Sequence, residues 1–585
     1  MTEKKPPLDV LVQLARLLRP WRLQVGLTSG AIVVATAAAL VPPLVAADAI
    51  DDGIVKGNLA AVDEAVLVLG IAVVVYALTS AVQTYATAWI SQRALASLRT
   101  EVFDHLTVLS PSFYDRASTG ALISRLTNDV EQLENLVAVG LSAMSASVLA
   151  LIGTLVAMFV LDWQLALVSL WIFPVALGMT AVWNRVARSR FRRTRDTISD
   201  VAAYVQETLA AIKLVRSFRQ EARHSARFAE LNEVDRAAQL RTNAVSFAFT
   251  GAMALLPALG VTVVLIVGGV QVSDGTKEIG VLVGFIAYFQ RLFAPLNQLT
   301  NLASLYTSGG AALDKINTVL DEEPSVRDAP DAQPLAPGPG EVRFEHVSFG
   351  YDADREVLHD IDLVLAAGRA TAIVGHNGAG KSTLVNLLAR FYDPDRGRVL
   401  VDGQDVRTVT QATLRRAIGY SLQDTNMLTG TVRDNLRLAK ADATDAELER
   451  TLQELGGLEI VRRLPDGLDT RLGSTGAALS PGQLQVIALA RTVLSRASIF
   501  ILDEFTSGVD VLTEARLLDG LERLLEGRTR IVIAHRLHMV ERADHVVVVD
   551  DGRVLEQGTH ASLLATDGAY ARLWGEARRL RPKAA

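Results

Sequence analysis

Nine consecutive residues, Gly375-His376-Asn377-Gly378-Ala379-Gly380-Lys381-Ser382-Thr383, have the spacing G-x-x-x-x-G-K-[ST] of a phosphate-binding loop. Glycines let the backbone curl until its N–H groups point at phosphate oxygens. Lys381 supplies a point charge for the β- and γ-phosphates, and the Ser382 hydroxyl can ligate Mg²⁺. A strand-like run at 370–374 precedes the loop and a helix-like run at 384–388 follows it. Phosphate would therefore lie at a helix N-terminus, where the dipole and free N–H groups favour anions. A second apolar run, Ser498-Ile499-Phe500-Ile501-Leu502-Asp503-Glu504, ends in two acids. A buried strand would hold them rigidly beside the phosphates, Asp503 suiting Mg²⁺, usually through water, and Glu504 suiting activation of an attacking water. His535 follows the strand-like run 530–534, where it could contact a γ-phosphate. Gln423 sits in Tyr420-Ser421-Leu422-Gln423-Asp424, and Tyr351 ends Val347-Ser348-Phe349-Gly350-Tyr351, at the right place for an aromatic that stacks on adenine.

These residues follow about 300 others of a different character. Half of the 585 residues are hydrophobic and only 21% are charged, a balance that points to membrane spans. The net charge of −6 implies no global attraction to nucleic acid. There is no cysteine, which excludes disulfides, zinc–thiolate sites and cysteine nucleophiles. The short polar start, residues 1–7, and the long first apolar run give no cleavable signal peptide. Six apolar segments, near 21–47, 62–89, 135–161, 163–184, 244–271 and 279–303, can each supply the ~20 residues that cross a bilayer as a helix. The sixth is interrupted by Arg291. Lys4, Lys5, Arg16, Arg19 and Arg22 precede the first span and an arginine-dense run, 185–195, follows the fourth, so both are expected in the cytoplasm. Six spans then return the chain to the cytoplasm. The inner connections, 93–134 and 185–241, are long and helix-like, which predicts that the spanning helices continue beyond the membrane as paired arms. Leu8, Leu11, Leu14, Leu17 and Leu18 share a helical face, suiting a helix on the inner membrane surface or an ordinary amphipathic helix in the cytoplasm. The expected division is a transmembrane domain at 1–325, a Pro-rich linker at 326–340 and an α/β nucleotide-binding domain at 341–585.

One further motif completes the set. Leu479-Ser480-Pro481-Gly482-Gln483 is a near match to an L-S-G-G-Q signature. Together these elements, in this order, resemble the ABC transporters, and more narrowly an exporter-type half-transporter with six spans fused to one nucleotide-binding domain. The fold class expected is a multidomain chain: an all-α six-helix transmembrane domain plus an α/β P-loop nucleotide-binding domain. The resemblance implies ATP and Mg²⁺ as cofactors, with an integral place in the inner membrane and the nucleotide-binding domain in the cytoplasm. It implies that Tyr351 stacks on adenine and that the residues from Gly375 to Thr383 wrap the phosphates. Gln423 would sense Mg²⁺ and the attacking water, Asp503 would support Mg²⁺, Glu504 would act as general base and His535 would hold the γ-phosphate. Asp510 would lie at the interface of two nucleotide-binding domains, which in this family close head to tail over two ATPs. Each signature, here Ser480, Gly482 and Gln483, caps the partner's ATP. Residues 113–120 and 212–218 fall where the family's coupling helices dock.

The chain departs from the family pattern at the signature, where Pro481 replaces the first glycine and Leu484 follows the glutamine, and upstream, where Ser474 stands for the usual glutamate. Proline has no N–H, so one phosphate donor is gone, although Ser480 suits an N-cap and Pro481 the first helical position. A weakened cap beside an intact Glu504, Gln423 and His535 suits one member of a heterodimer whose partner has a standard signature and a defective acid; a homodimer that tolerates the variant is the alternative. The expected activity is ATP-driven export of hydrophobic or amphipathic small molecules or lipids. Uptake of a siderophore-like ligand on the same fold, or an ATP-regulated channel, stay open. Arg291 either lines the transport path or pairs with another helix or a backbone carbonyl.

Overall fold

The computed structural model describes residues 7–579 apart from 353, 422–425, 474–478, 504, 507–508, 510 and 535–536. Expectations for Gln423, Ser474, Glu504, Asp510 and His535 therefore lie outside the described residues. The chain divides into two compact units, one of residues 1–107 and 120–321, the other of residues 108–119 and 322–585.

The second unit is an α/β fold whose two larger sheets build its core, beside a short two-stranded ribbon, among the described residues. Runs in which every residue is apolar or buried, such as Ala370–Val374 and Ile499–Asp503, suit strands covered on both faces. They sit inside a six-stranded sheet with the order Arg553–Gly558, His545–Asp550, Ala370–Val374, Thr529–Ile533, Ile499–Asp503 and Ile418–Ser421. All neighbours are parallel except the first pair. A smaller antiparallel sheet pairs Val342–Phe349 with Leu358–Leu365 on one side and Arg396–Val401 on the other. Both sheets contribute to one core around Phe344, Leu384, Leu387 and Ile501.

The first unit is all helix. Among the described residues, six helices are long and apolar enough to cross a membrane: Val12–Val55, Leu59–Val108, Thr119–Leu161, Trp163–Ala210, Glu221–Ser273 and Ile279–Leu299. The 50-residue second helix is about 75 Å long, more than twice the ~30 Å hydrocarbon core. The fourth and fifth helices run on side by side and are joined by polar pairs, Thr194 with Thr242 at 2.9 Å, Thr197 to Asp235 at 2.7 Å and Tyr204 with His224 at 2.9 Å.

The first and sixth spans meet along a seam of small residues and hydrogen bonds. The Gly280 N–H donates to the buried Asp51 carboxylate at 2.6 Å. A Cβ on Gly280 would lie 2.1 Å from the Ala47 carbonyl, and one on Gly284 would lie 2.9 Å from the Ala47 methyl, so only glycine permits this approach. Farther along, the Tyr288 hydroxyl donates to the Leu40 carbonyl and the Arg291 guanidinium to the Ala39 carbonyl. The last contact has a local cause. The first span contains Pro42 and Pro43, and a proline at position 43 has no N–H to give the carbonyl four residues earlier, at Ala39. Arg291 takes up the acceptor that Pro43 leaves. The carbonyl pairing expected of this arginine is present. Removing the guanidinium should cost about 1–3 kcal/mol, the usual penalty for an acceptor stripped of its partner. In a Pro43→Ala background the new N–H reclaims the carbonyl, and Arg291→Ala should then cost little. Thermal melting of the four proteins in detergent checks this, and an equal cost in both backgrounds would show that the freed carbonyl is not what Arg291 serves.

Candidate nucleotide-binding site

The loop emerges from the strand Ala370–Val374 and enters the helix Lys381–Leu388. Its curl depends on glycine where the backbone turns left-handed, at Gly378 (φ 83°) and Gly380 (φ 101°). At Gly375 the constraint is space: a Cβ there would lie 1.9 Å from the Val549 carbonyl on the neighbouring strand. Gly380 is the N-cap residue and no side chain caps the helix, so its first N–H groups are not taken by a capping side chain. Lys381 is only 5% exposed, and its ammonium donates to the Gly375 and His376 carbonyls at 2.9 and 2.8 Å. Around that buried cation, His376, Asn377, Gly378 and Ser382 are exposed, while Ala379 and Thr383 are buried. Ser382 offers an exposed residue with a hydroxyl, and an oxygen donor of this kind suits a hard divalent cation.

Asp503 is buried at the end of its strand. The register aligns it with Ile533, which is aligned in turn with Ile373, two residues before Gly375. The carboxylate-bearing strand and the loop-bearing strand are thus about 10 Å apart, with one strand between them. Tyr351 is 47% exposed, and its hydroxyl lies 3.1 Å from the Thr383 hydroxyl, which ties the aromatic to the phosphate loop. Its ring packs edge-on against Phe349 and Tyr392, with centroids 5.1 Å away in each case. Tyr420, on the strand Ile418–Ser421, also belongs to this neighbourhood: burial pushes its hydroxyl pKa up, and the charge of Asp503 adds in the same direction. Its hydroxyl lies 3.3 Å from the Asn386 side chain.

The signature segment starts the helix Pro481–Val493. Ser480 is its N-cap: the Ser480 hydroxyl accepts the Gln483 N–H at 3.3 Å, and the Gln483 side chain accepts the Ser480 N–H at 2.9 Å. Pro481 occupies the first helical position, where a missing N–H costs the helix nothing. Because the Ser480 oxygen serves the cap as an acceptor, its own O–H is still able to donate outward.

Profiles for the ABC transporter transmembrane region and for the ABC transporter match residues 26–296 and 358–507. The ATP-dependent lipid A-core flippase of Syntrophus aciditrophicus (strain SB) is 32% identical, across 97% of this chain and 94% of its own length. The fatty acid ABC transporter ATP-binding/permease protein of Mycobacterium bovis is 36% identical, across 82% of this chain and 76% of its own. The chain belongs to the ABC transporter family. A solved bacterial Atm1-family ABC exporter with ATP bound is similar throughout, with a TM-score of 0.81 at 29% identity over 96% of this chain and 99% of that one.

As an ABC transporter the chain is an integral membrane protein with a cytoplasmic nucleotide-binding domain that binds ATP and couples its hydrolysis to transport. Sequence reasoning missed Tyr392 and Tyr420 as neighbours of the nucleotide site. Tyr420 opens the run around Gln423, where its residue type carries no mark of a nucleotide contact. Tyr392 follows Phe391 eleven residues after Lys381, and no motif links it to Tyr351. The short helix Pro111–Arg116 also belongs to the second unit of this transporter, although it lies between two spans in the sequence. The other expected docking segment holds the helix Ile212–Ser217, in the first unit, with Leu214 and Phe218 exposed. The capping geometry makes Ser480→Ala cost about 1 kcal/mol of stability, whereas Ser480→Asp, which keeps an acceptor, should hold it. Thermal melting of the two variants in detergent distinguishes them, and equal losses would mean that the cap contributes nothing.

Proposed function

We propose that this ABC transporter is one half of a dimeric exporter, paired with a different half-transporter, that moves lipid-like or other amphipathic molecules out of the inner membrane or the cytoplasm. The observation that carries export is the likeness, along 96% of the chain, to a solved exporter. The substrate class follows from relatives named as a lipid A-core flippase and a fatty acid transporter, together with first-unit helices that expose Leu27, Val66, Val73, Ile152 and Leu265.

In this reading adenine stacks on the open face of Tyr351, and the loop from Gly375 to Thr383 wraps the phosphates. The Lys381 ammonium, held by neutral carbonyls, turns to the β- and γ-phosphate oxygens, a stronger, charge-assisted partnership. The oxygen donors of Ser382, Asp503 and Gln423 suit Mg²⁺, which would neutralise developing phosphate charge when bound. Glu504 takes the proton of the attacking water, His535 holds the γ-phosphate, and Asp510 lies at the dimer interface. Ser480, Gly482 and Gln483 face the partner's ATP. ATP-driven closure of the two domains turns the membrane path outward, and hydrolysis resets it.

The heterodimer rests on the contrast between a complete hydrolytic set and a signature that has lost a donor at Pro481. Reconstitution in liposomes with an encoded partner half-transporter tests both parts. MgATP added on the cytoplasmic side should drive a fluorescent phospholipid or fatty acid to the other leaflet, and Glu504→Gln should stop it. Movement in the opposite sense, or flux without ATP, would overturn export. Robust turnover by this chain alone, lost on Glu504→Gln, would overturn the obligate partner. Pro481→Gly returns an N–H to the helix start. In the heterodimer that helix start faces only the partner's nucleotide, so turnover should change by less than about twofold, the size of a contact that the competent site does not use. An ATPase rate raised roughly tenfold by Pro481→Gly would show that this signature caps the hydrolysing site, as in a homodimer.

A further inference from the structure

Three aromatic rings stand between the phosphate loop and a segment that the sequence assigns to the membrane half. Phe349 is buried and forms the base; Tyr351 and Tyr392 each pack on it, at 5.1 and 5.4 Å, and on each other at 5.1 Å and 89°. One end of the cluster is the nucleotide loop, reached by the Tyr351 hydroxyl at Thr383. The other end is the helix Pro111–Arg116, because the Tyr392 hydroxyl donates to the Asp115 carboxylate. The same helix is tied down on its other sides: the Ser110 hydroxyl accepts the Val326 N–H at 3.0 Å, Ser112 meets Ser325 at 2.8 Å and Arg116 pairs with Glu322 at 3.3 Å.

We propose that Tyr392 is a positioning residue that transmits occupancy of the adenine subsite to the 108–119 segment, through Tyr351 on one side and Asp115 on the other. The inference rests on the reading of Tyr351 as the base-stacking residue. Aromatic pairs favour edge-to-face or offset geometry, so a base that turns the Tyr351 ring changes which orientation of Tyr392 is favoured. Phe349 is packed into the core and cannot absorb the change. The Tyr392 ring must turn, and its hydroxyl carries Asp115 with it or breaks from it. Burial and the carboxylate of Asp115 both push the Tyr392 hydroxyl pKa up, so it stays a proton donor throughout the physiological range. Arg116 and Ser112 anchor the neighbouring turn, so motion at Asp115 becomes rotation of the whole short helix.

The chain has no cysteine, so a single introduced thiol reports on this segment without interference from its own side chains. A nitroxide on Thr119→Cys in the full-length protein, reconstituted in nanodiscs, is read by its spectrum before and after Mg-ATPγS, alongside the nucleotide Kd. We expect the spectrum to shift with nucleotide. In Tyr392→Phe, which keeps the ring, and in Asp115→Asn, the Kd should stay within about twofold while the spectral shift is lost; the double variant should lose no more than either single one. A shift that survives both substitutions, an additive loss in the double variant, or no shift in the unsubstituted pair of residues overturns the relay. Failure of the underlying reading is separable, because it shows as Tyr351→Ala leaving the Kd unchanged.

Discussion

A lysine ammonium taken almost wholly out of water must be held by something, and in this protein two carbonyls of its own loop help to hold it. That requirement organises the nucleotide-binding unit. For the Gly375 and His376 carbonyls to turn inward, the chain must reverse within five residues, which calls for left-handed backbone at Gly378 and Gly380 and for a bare Cα where Gly375 passes the Val549 carbonyl. The loop is therefore locked to the sheet on one side and to the helix Lys381–Leu388 on the other. A helix start without a side-chain cap favours an anion beside that ammonium, so the geometry that makes the loop expensive to build is also what makes it select phosphate.

The same accounting of backbone groups governs the membrane unit from the opposite direction. In hydrocarbon a carbonyl without a donor is costly, and Pro43 creates one in the first span. A charged residue in the sixth span, which looks like a liability in isolation, removes that cost by donating to Ala39. Gly280 and Gly284 allow the two spans to approach closely enough for this contact and for the Asp51 carboxylate to take the Gly280 N–H. Two sequence features that break rules separately, a proline pair within a helix and an arginine within a span, are thus consistent once they are placed together.

What was legible in the sequence and what was not divides along this line. The bilayer dictates span length and the phosphate dictates loop spacing, so both leave local marks in the chain. Six spans and an α/β ATP-binding fold could be derived from those marks, as could the Ser480–Pro481 helix start, because caps act over only three residues. Contacts between distant residues leave no such mark. Arg291 and Ala39 are 252 positions apart, and nothing in either segment names the other. Tyr392 and Asp115 are 277 positions apart, and the helical pattern across 93–134 conceals the fact that 108–119 leaves the spanning helices and joins the nucleotide-binding unit. Helical periodicity reports that a segment is helical, not which core receives it.

The helix start at Ser480 bears on what kind of dimer this protein can form. A serine that accepts the Gln483 N–H is fixed in orientation, and its hydroxyl proton can point out of the helix toward an anion. Pro481 cannot add a second donor at the next position, so the loss is permanent and cannot be recovered by rearrangement. If two copies of this chain paired, both ATPs would be capped by this reduced set of donors, and the dimer would have no fully equipped site. If the partner is different, its own signature caps the ATP held by the loop from Gly375 to Thr383, and the reduced set faces only the partner's nucleotide. Pairing with a second chain is the arrangement in which an intact loop and a depleted signature can coexist without weakening the site that the intact loop forms.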